Sequence, residues 1–468
     1  MQKIRSALTT VALCGMLSTT ILPASAAPKK AAGDFDAAAL RDKALNGDTV
    51  AWDVVEGITT EVGPRPAATP QEANARTWAV AKLKSLGFSN VHIEDYMMPG
   101  WVRGVETGSI TAPFPQPLHL TALGNSGATP ADGIEAEVVY FPTFADLAAA
   151  PDGSLTGKIA FVSHAMHATQ DGSSYGEFGI ARRQGPSVAA KKGAIGIVIR
   201  SIGTDHHRVP HTGVQMWADG VTPIPAAALS VPDAELLARM FERGKPVRLK
   251  MTLTPRFTGQ QPSGNVIAEV PGSDPKAGII MITGHLDSWD LGTGAIDDGA
   301  GVAIITAAAK AIMDAGKPRR TIRLLLAGAE EVGSFGGKAY FEAHKGEPHV
   351  LTSESDFGAD RVWRADFRMP DSARGVADRI AQTLSPLGIG RGQAPAGGGA
   401  DNAEFVRTGV PVIDLQQDGT RYFDIHHTAD DTLDKIDLSQ LRQNVAAWVS
   451  VLAIAANAPE LDPAALTK

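Results

Sequence analysis

The sequence predicts an α/β protein: a mixed, mostly parallel sheet flanked by helices, with a second, β-rich domain inserted into it. Three observations carry this. From about residue 256, unbroken apolar runs alternate with helical patterns, as strands buried on both faces require. Residues 111–255 instead hold short extended segments divided by turns. The composition, 44% hydrophobic and 20% charged with 49 Gly and 30 Pro in 468 residues, is that of a globular chain of two or three domains.

Residues 1–26 read as a secretory signal peptide. Lys3 and Arg5 form a basic head, residues 7–22 are mostly apolar, and Pro23-Ala24-Ser25-Ala26 gives a small-x-small cleavage signal. The apolar run is too short, and too interrupted by Thr and Ser, for a membrane anchor. Cys14 is not expected to be lipidated, because Leu13 stands where a small residue is needed. The remaining chain has no cysteine, since Cys14 is the single one, so it is expected to be exported to a periplasm or medium without disulfides. The net charge of −8 becomes about −10 once Lys3 and Arg5 are removed, which gives no electrostatic case for nucleic acid.

Residues 35–110 form the first part of the main domain. Apolar spacing predicts a helix over 70–86 ended by Gly87, and 91–96 (VHIEDY) alternates as a strand. In the inserted domain, 111–255, extended stretches are expected at 138–141, 158–162, 195–200 and 247–254. Residues 256–460 complete the main domain: strands at 278–284 (GIIMITG), 321–327 (TIRLLLA) and 410–415 (VPVIDL), and helices at 300–315 and 438–456.

Functional groups of α/β sheets cluster where strands end. His285 and Asp287 follow the first of these strands. Asp297 and Asp298 open the next helix, Glu330 and Glu331 follow 321–327, Asp356 follows 350–355, and His427 lies in a loop after 410–415. Singly, each has an ordinary explanation: Asp298 as a helix cap, a histidine as a hydrogen-bonded core residue, paired glutamates as solvated surface. Together, two His, two Asp and a Glu at successive strand ends suit two adjacent divalent cations. Imidazole and carboxylate favour Zn²⁺. Glu330-Glu331 then offers one ligand and one proton acceptor.

The run 284–288 (GHLDS), then 294–299 (GAIDDG), then Ala329-Glu330-Glu331, resembles the M28 family of co-catalytic zinc metallopeptidases. The order His, Asp, Glu-Glu, Asp, His matches throughout. Segments 98–104 (MPGWVRG), 210–213 (PHTG) and 285–301 (HLDSWDLGTGAIDDGAG) extend the resemblance over nearly the whole chain. It implies a zinc-exopeptidase fold holding two Zn²⁺. Asp297 would bridge them, His285 and Asp356 would complete one site, and Glu331 and His427 the other. Glu330 would be the general base, and Asp287 would hold the His285 ring and its tautomer. A cis peptide is expected after Asp297. His427 is preferred to His426 because it begins a His-Thr-x-x-Asp run. Asp356 is preferred to Asp360. Segment 111–255 resembles a protease-associated domain, and a homodimer is implied by the family alone.

The expected function is an exported exopeptidase acting on dipeptides or short peptides. The alternatives are an aminopeptidase working on longer peptides and a binding protein that has lost catalysis; the complete ligand set argues against the latter and against a single-zinc glutaminyl cyclase. His426, His211, Asp401 and Arg421 are candidates for substrate contacts. Two further patterns are set aside. Gly172-Ser173-Ser174-Tyr175-Gly176 fits a serine nucleophile motif but lacks the preceding buried strand, and His206, His207 and His211 are read as a polar loop rather than a metal site.

Overall fold

The structure is a computed structural model and describes residues 35–466, so the signal peptide at 1–26 lies outside the described residues. The main sheet has eight strands: β1 (Ser89–Val102), β2 (Arg256–Val270), β3 (Ile279–His285), β4 (Thr321–Ala327), β5 (His349–Glu354), β6 (Val362–Arg368), β7 (Gly390–Arg391) and β8 (Val412–Gln417). Their spatial order is β1-β2-β4-β3-β5-β8-β6-β7. The centre, β4-β3-β5-β8, is parallel, while β1-β2, β2-β4 and β8-β6 are antiparallel. The apolar runs were unbroken because β3, β4 and β5 are buried along nearly their whole length.

Helices cover this sheet. Pro70–Ser85 starts with Pro at its first turn and the Thr69 hydroxyl accepting from Glu72 N, and the chain turns out of it at Gly87 (φ 90°). Ala300–Ala315 is buried along most of its length. It packs against Leu438–Ala455, which carries the fully buried Trp448. Each such large side chain contributes about 2–3 kcal/mol by burial.

A second eight-stranded sheet is drawn entirely from residues 106–253. Its centre (Ile134–Phe141, Ile159–Val162, Gly196–Arg200, Ala226–Leu229) is parallel. Helices Phe144–Ala149, Gly185–Lys191 and Val231–Glu242 accompany these strands, so the segment is more helical than its turn-rich sequence suggests. The chain leaves the main sheet by β1 and returns by β2. Val102 pairs with Arg256, and directly beyond, Glu106 pairs with Leu253, so the exit and re-entry strands lie side by side. Arg103 pins this junction from within. It donates to both carboxylate oxygens of Asp290 (3.0 and 2.8 Å), to Glu106 Oε1 (2.8 Å), to Ala122 O (2.7 Å) and to Thr212 Oγ1 (3.0 Å).

Candidate active site

The parallel strands β3, β4 and β5 end side by side, and their C-terminal loops build the site. His285 is the last residue of β3 and lies in register with Ala327 of β4. The loop after it is held by the fully buried Arg65, which donates to the carbonyls of Leu286 (2.5 Å), Thr293 (2.7 Å) and Gly294 (2.9 Å). Gly294 takes φ 61°, and a Cβ there would run into Ser288 and Arg65. The Asp297–Asp298 peptide is cis. Asp298 turns away from its neighbour: Oδ2 accepts from His285 N (2.9 Å) and Oδ1 from Gly301 N (3.0 Å), tying the helix start to β3. Gly301 must be glycine, because a Cβ would meet Ser355 O and Asp298.

The five candidate ligands gather around Asp297, itself one of them. His285 Nε2 lies 3.0 Å from Asp297 Oδ1 and 3.3 Å from Asp356 Oδ1. His427 Nε2 lies 3.2 Å from Asp297 Oδ2 and 2.9 Å from Glu331 Oε2. His426 Nε2 is 3.4 Å from Asp297 Oδ2, and its ring stacks on His427 at 3.5 Å. His427 therefore reaches both carboxylates, whereas His426 reaches only Asp297. Both rings have their other nitrogen committed to a carbonyl: His285 Nδ1 to Asp287 O (3.0 Å) and His427 Nδ1 to Thr212 O (3.2 Å). With Nδ1–H given to a carbonyl, Nε2 is the nitrogen left for the cluster, a donor to the carboxylates while the ring is protonated and a lone pair for a metal once it is neutral.

Asp287 does hold the His285 ring, but by its backbone carbonyl. Its carboxylate is 3.7 Å from Nδ1, too far for a hydrogen bond. Asp287 Oδ1 accepts instead from Glu330 N (3.0 Å), so it positions the Glu330 backbone.

The charges depend on one another. Burial opposes ionisation of Asp297, but hydrogen bonds from His285 and His427 hold its carboxyl well below the usual range. Burial disfavours charge on the two histidines, yet Asp356 beside His285 and Glu331 beside His427 lift both well above the usual imidazole range. Burial lifts Glu330, with Asp356, Asp401 and Glu331 adding to the rise. Burial and then His427 push His426 well below its usual range.

These residues fit metal ions. Among the described residues the metal-type trios are His285-Asp297-Asp356 and Asp297-His426-His427, sharing Asp297. Glu331 Oε1 is buried without a hydrogen-bond partner. Neutral imidazole and carboxylate oxygen are the donor set of zinc.

A cleft of about 380 Å³ opens over the cluster, lined on one side by Glu330, Glu331, Asp356, His426 and His427 and elsewhere by Tyr175, Arg182, Arg183 and Tyr422. Three expected substrate contacts are not in it. His211 is buried with both ring nitrogens engaged, Nε2 by Asp205 (2.8 Å) and Nδ1 by His426 O (2.7 Å). Asp401 is buried, its Oδ1 accepting from Gly337 N (3.3 Å). Arg421 is clamped on Asp360 by two 2.6 Å bonds, which also removes Asp360 as a ligand. Ser174 donates to His167 O at 2.5 Å, and His206 and His207 stand exposed outside both trios. Sequence reasoning missed Tyr175, Arg182 and Arg183, which come from the second sheet's helices; the nearest signal was the PHTG segment that packs beside them.

The family model described as peptidase family M28 matches residues 265–452. Carboxypeptidase Q of Bos taurus is 34% identical over 410 residues, covering 87% of this chain and 85% of its own, and that of Homo sapiens is 33% identical over 409 residues with the same coverage. The chain belongs to peptidase family M28. It is a metallopeptidase, a hydrolase of peptide bonds, and its family includes zinc enzymes. Among solved structures, an M28 peptidase precursor of Shewanella amazonensis superposes with a TM-score of 0.88 at 49% identity, covering 90% of this chain and 96% of the other. A zinc aminopeptidase of Bacillus subtilis shares the fold at 19% identity, with a TM-score of 0.64 over 87% of this chain and 95% of its own. In this M28 chain, residues 265–452 hold every candidate ligand, while Arg182 and Thr212 lie outside that span.

Proposed function

We propose that the protein is an exported two-zinc exopeptidase that hydrolyses dipeptides or short peptides. The observation that carries this is that His285 and His427 reach opposite oxygens of Asp297, and each also reaches a second carboxylate, Asp356 for His285 and Glu331 for His427. Those five residues would hold two zinc ions, Asp297 between them. When bound, the zinc pair supplies Lewis acidity toward the scissile carbonyl and acidifies water.

The chain's own residues would do the rest. Glu330 lines the cleft beside Glu331 and Asp356 without taking part in either trio. Its carboxylate accepts the proton of the attacking water and returns it to the leaving nitrogen. Asp287, accepting from Glu330 N at 3.0 Å, fixes where that carboxylate starts. His426, unliganded in this scheme but 3.4 Å from Asp297, lines the cleft where the carbonyl oxygen develops charge.

Export is supported by the pattern of residues 1–26. Among the described residues no helix is long and apolar enough to cross a membrane. A homodimer is part of the proposal only through the resemblance to the family.

The test is a panel of unblocked dipeptides, with N-acetylated and C-amidated counterparts, offered to the zinc-loaded protein before and after chelation. Cleavage lost with either block supports a dipeptidase. Loss with the acetyl block alone makes it an aminopeptidase, and loss with the amide alone a carboxypeptidase. Zinc binding without cleavage of any peptide overturns the proposal in favour of a binding protein.

A further inference from the structure

Arg182 is a buried cation that lacks a counter-charge. Its residue exposure is only 4%, yet its guanidinium makes no ion pair with any described residue. Nη2 donates to the Tyr175 hydroxyl (2.5 Å) and Nη1 to Thr212 O (3.3 Å), both neutral, and Nε is buried without a partner. Arg183 beside it is half-buried and donates only to Gly176 O (2.8 Å). Both line the cleft that opens over Asp297 and Glu330. Two arginines that are 0% exposed have their donors committed. Arg65 is spent on four carbonyl bonds, and Arg320 on carbonyls and Asp462.

A desolvated guanidinium without an anion is costly, and a planar fork of donors matches a carboxylate. The carboxylates that line the cleft make no ion pair with Arg182 or Arg183, and the chain as a whole is acidic, so a pair of unpaired arginines is not explained by general surface charge. The backbone is shaped around this group. Gly213 takes φ 136°, and a Cβ there would run into the Arg182 guanidinium.

We infer that Arg182, with Arg183 at its side, receives a carboxylate of the peptide substrate in this cleft. The free C-terminal carboxylate is the group every unblocked short peptide carries, and an acidic side chain offers the same chemistry. The inference rests on the peptidase reading above and adds to it the group that the second sheet contributes to substrate choice.

The experiment compares kcat/KM of the zinc-loaded full chain on Leu-Ala, Leu-Ala amide, Leu-Glu amide and Leu-Gln amide, for wild type, Arg182→Gln, Arg182→Lys and Arg183→Gln. A terminal carboxylate predicts that wild type favours Leu-Ala over its amide at least tenfold. Arg182→Gln should shrink that ratio about 10–100-fold, as loss of a buried charge-assisted pair does. Arg182→Lys should shrink it less, and Arg183→Gln a few-fold. An acidic side chain as the ligand predicts the same collapse in the Leu-Glu to Leu-Gln amide ratio instead. Because Arg182 also touches Thr212, a purely structural role would lower all four substrates together and leave both ratios intact; that result overturns the inference. If Arg182→Gln fails to fold, the ratios of Arg182→Lys and Arg183→Gln decide alone. A wild type indifferent to every carboxylate overturns this inference and leaves the peptidase reading standing, whereas a wild type that cleaves no peptide overturns both.

Discussion

His427 and Thr212 hold each other at two points: His427 Nδ1 lies 3.2 Å from Thr212 O, and Thr212 N donates to His427 O at 3.0 Å. A candidate zinc ligand on the main sheet is thus oriented by a loop of the second sheet, 215 residues away in sequence. His211 repeats the arrangement one residue earlier, reaching His426 O at 2.7 Å. The second sheet is therefore part of the site's framework and not merely a cover over it.

Disturbing that loop should reach the metal. Gly213→Ala places a side chain at φ 136° against Arg182 and displaces Thr212. Groups that orient metal ligands are worth about 10–100-fold in metal affinity. The expected result is a zinc affinity lowered by that factor for one ion of the pair, read by chelator competition, while the second ion is retained. Equal loss of both ions would mean that Thr212 acts on the fold at large.

Glu330→Gln separates catalysis from metal binding. The amide keeps the shape and removes the proton acceptor, so zinc content should stay at the wild-type value while kcat falls about 10²–10⁴-fold. Near-wild-type turnover in this variant would remove Glu330 from its assigned role.

Arg103→Met tests the joint between the sheets. The substitution leaves Asp290 and Glu106 facing each other without their shared cation. Removing one partner of a largely buried ion network costs about 3 kcal/mol or more. Denaturant unfolding should show this loss, and a change below about 0.5 kcal/mol would show the network to be screened.

How far the site was legible follows from the topology. His285, Glu330, Glu331 and Asp356 could be read as a group because parallel strands present their C-terminal loops to one place, so position after an apolar run stands in for proximity. The helices and strands of the main sheet were legible for the same reason, since burial on both faces leaves unbroken apolar runs. Arg182 and Tyr175 were not legible. They belong to short helices of the second sheet, and nothing local tells that these face Asp297. Arg421, Asp401 and His211 failed in the opposite way. Each has the right chemistry, but each is already committed, to Asp360, to Gly337 N and to Asp205, and a sequence does not display a charged group's partner. Asp287 was expected to hold the His285 ring; its contact to the ring runs through the carbonyl, a distinction only coordinates can make.

His349 sets an acid limit on stability far from the catalytic chemistry. It begins β5 and is buried. Nδ1 lies 3.2 Å from Glu347 O and Nε2 lies 3.0 Å from the Tyr340 hydroxyl, which itself accepts from Arg323 Nη1 at 2.9 Å. With Nδ1–H given to the carbonyl, Nε2 must be the acceptor, so the ring is neutral in the fold. Burial, reinforced by the positive fields of Arg323 and His344 and opposed by Glu347, brings its pKa down to about 4 from 6.5. The folded value lies below the unfolded one, so the unfolded chain takes up the proton first as pH falls. The stabilisation is complete above pH 6.5 and is lost progressively between 6.5 and 4, amounting to about 3 kcal/mol at the lower end. His349→Gln, which keeps an acceptor for Tyr340 but cannot titrate, should remove this contribution. The difference in unfolding free energy between the two proteins, followed by urea denaturation from pH 7.5 to pH 4, should therefore shift by about 3 kcal/mol in favour of the variant. Titrations at the metal cluster are common to both proteins and cancel in that difference. A difference that stays flat across the window would mean that His349 is protonated in the fold, and with it that the Tyr340 oxygen accepts from both Arg323 and His349.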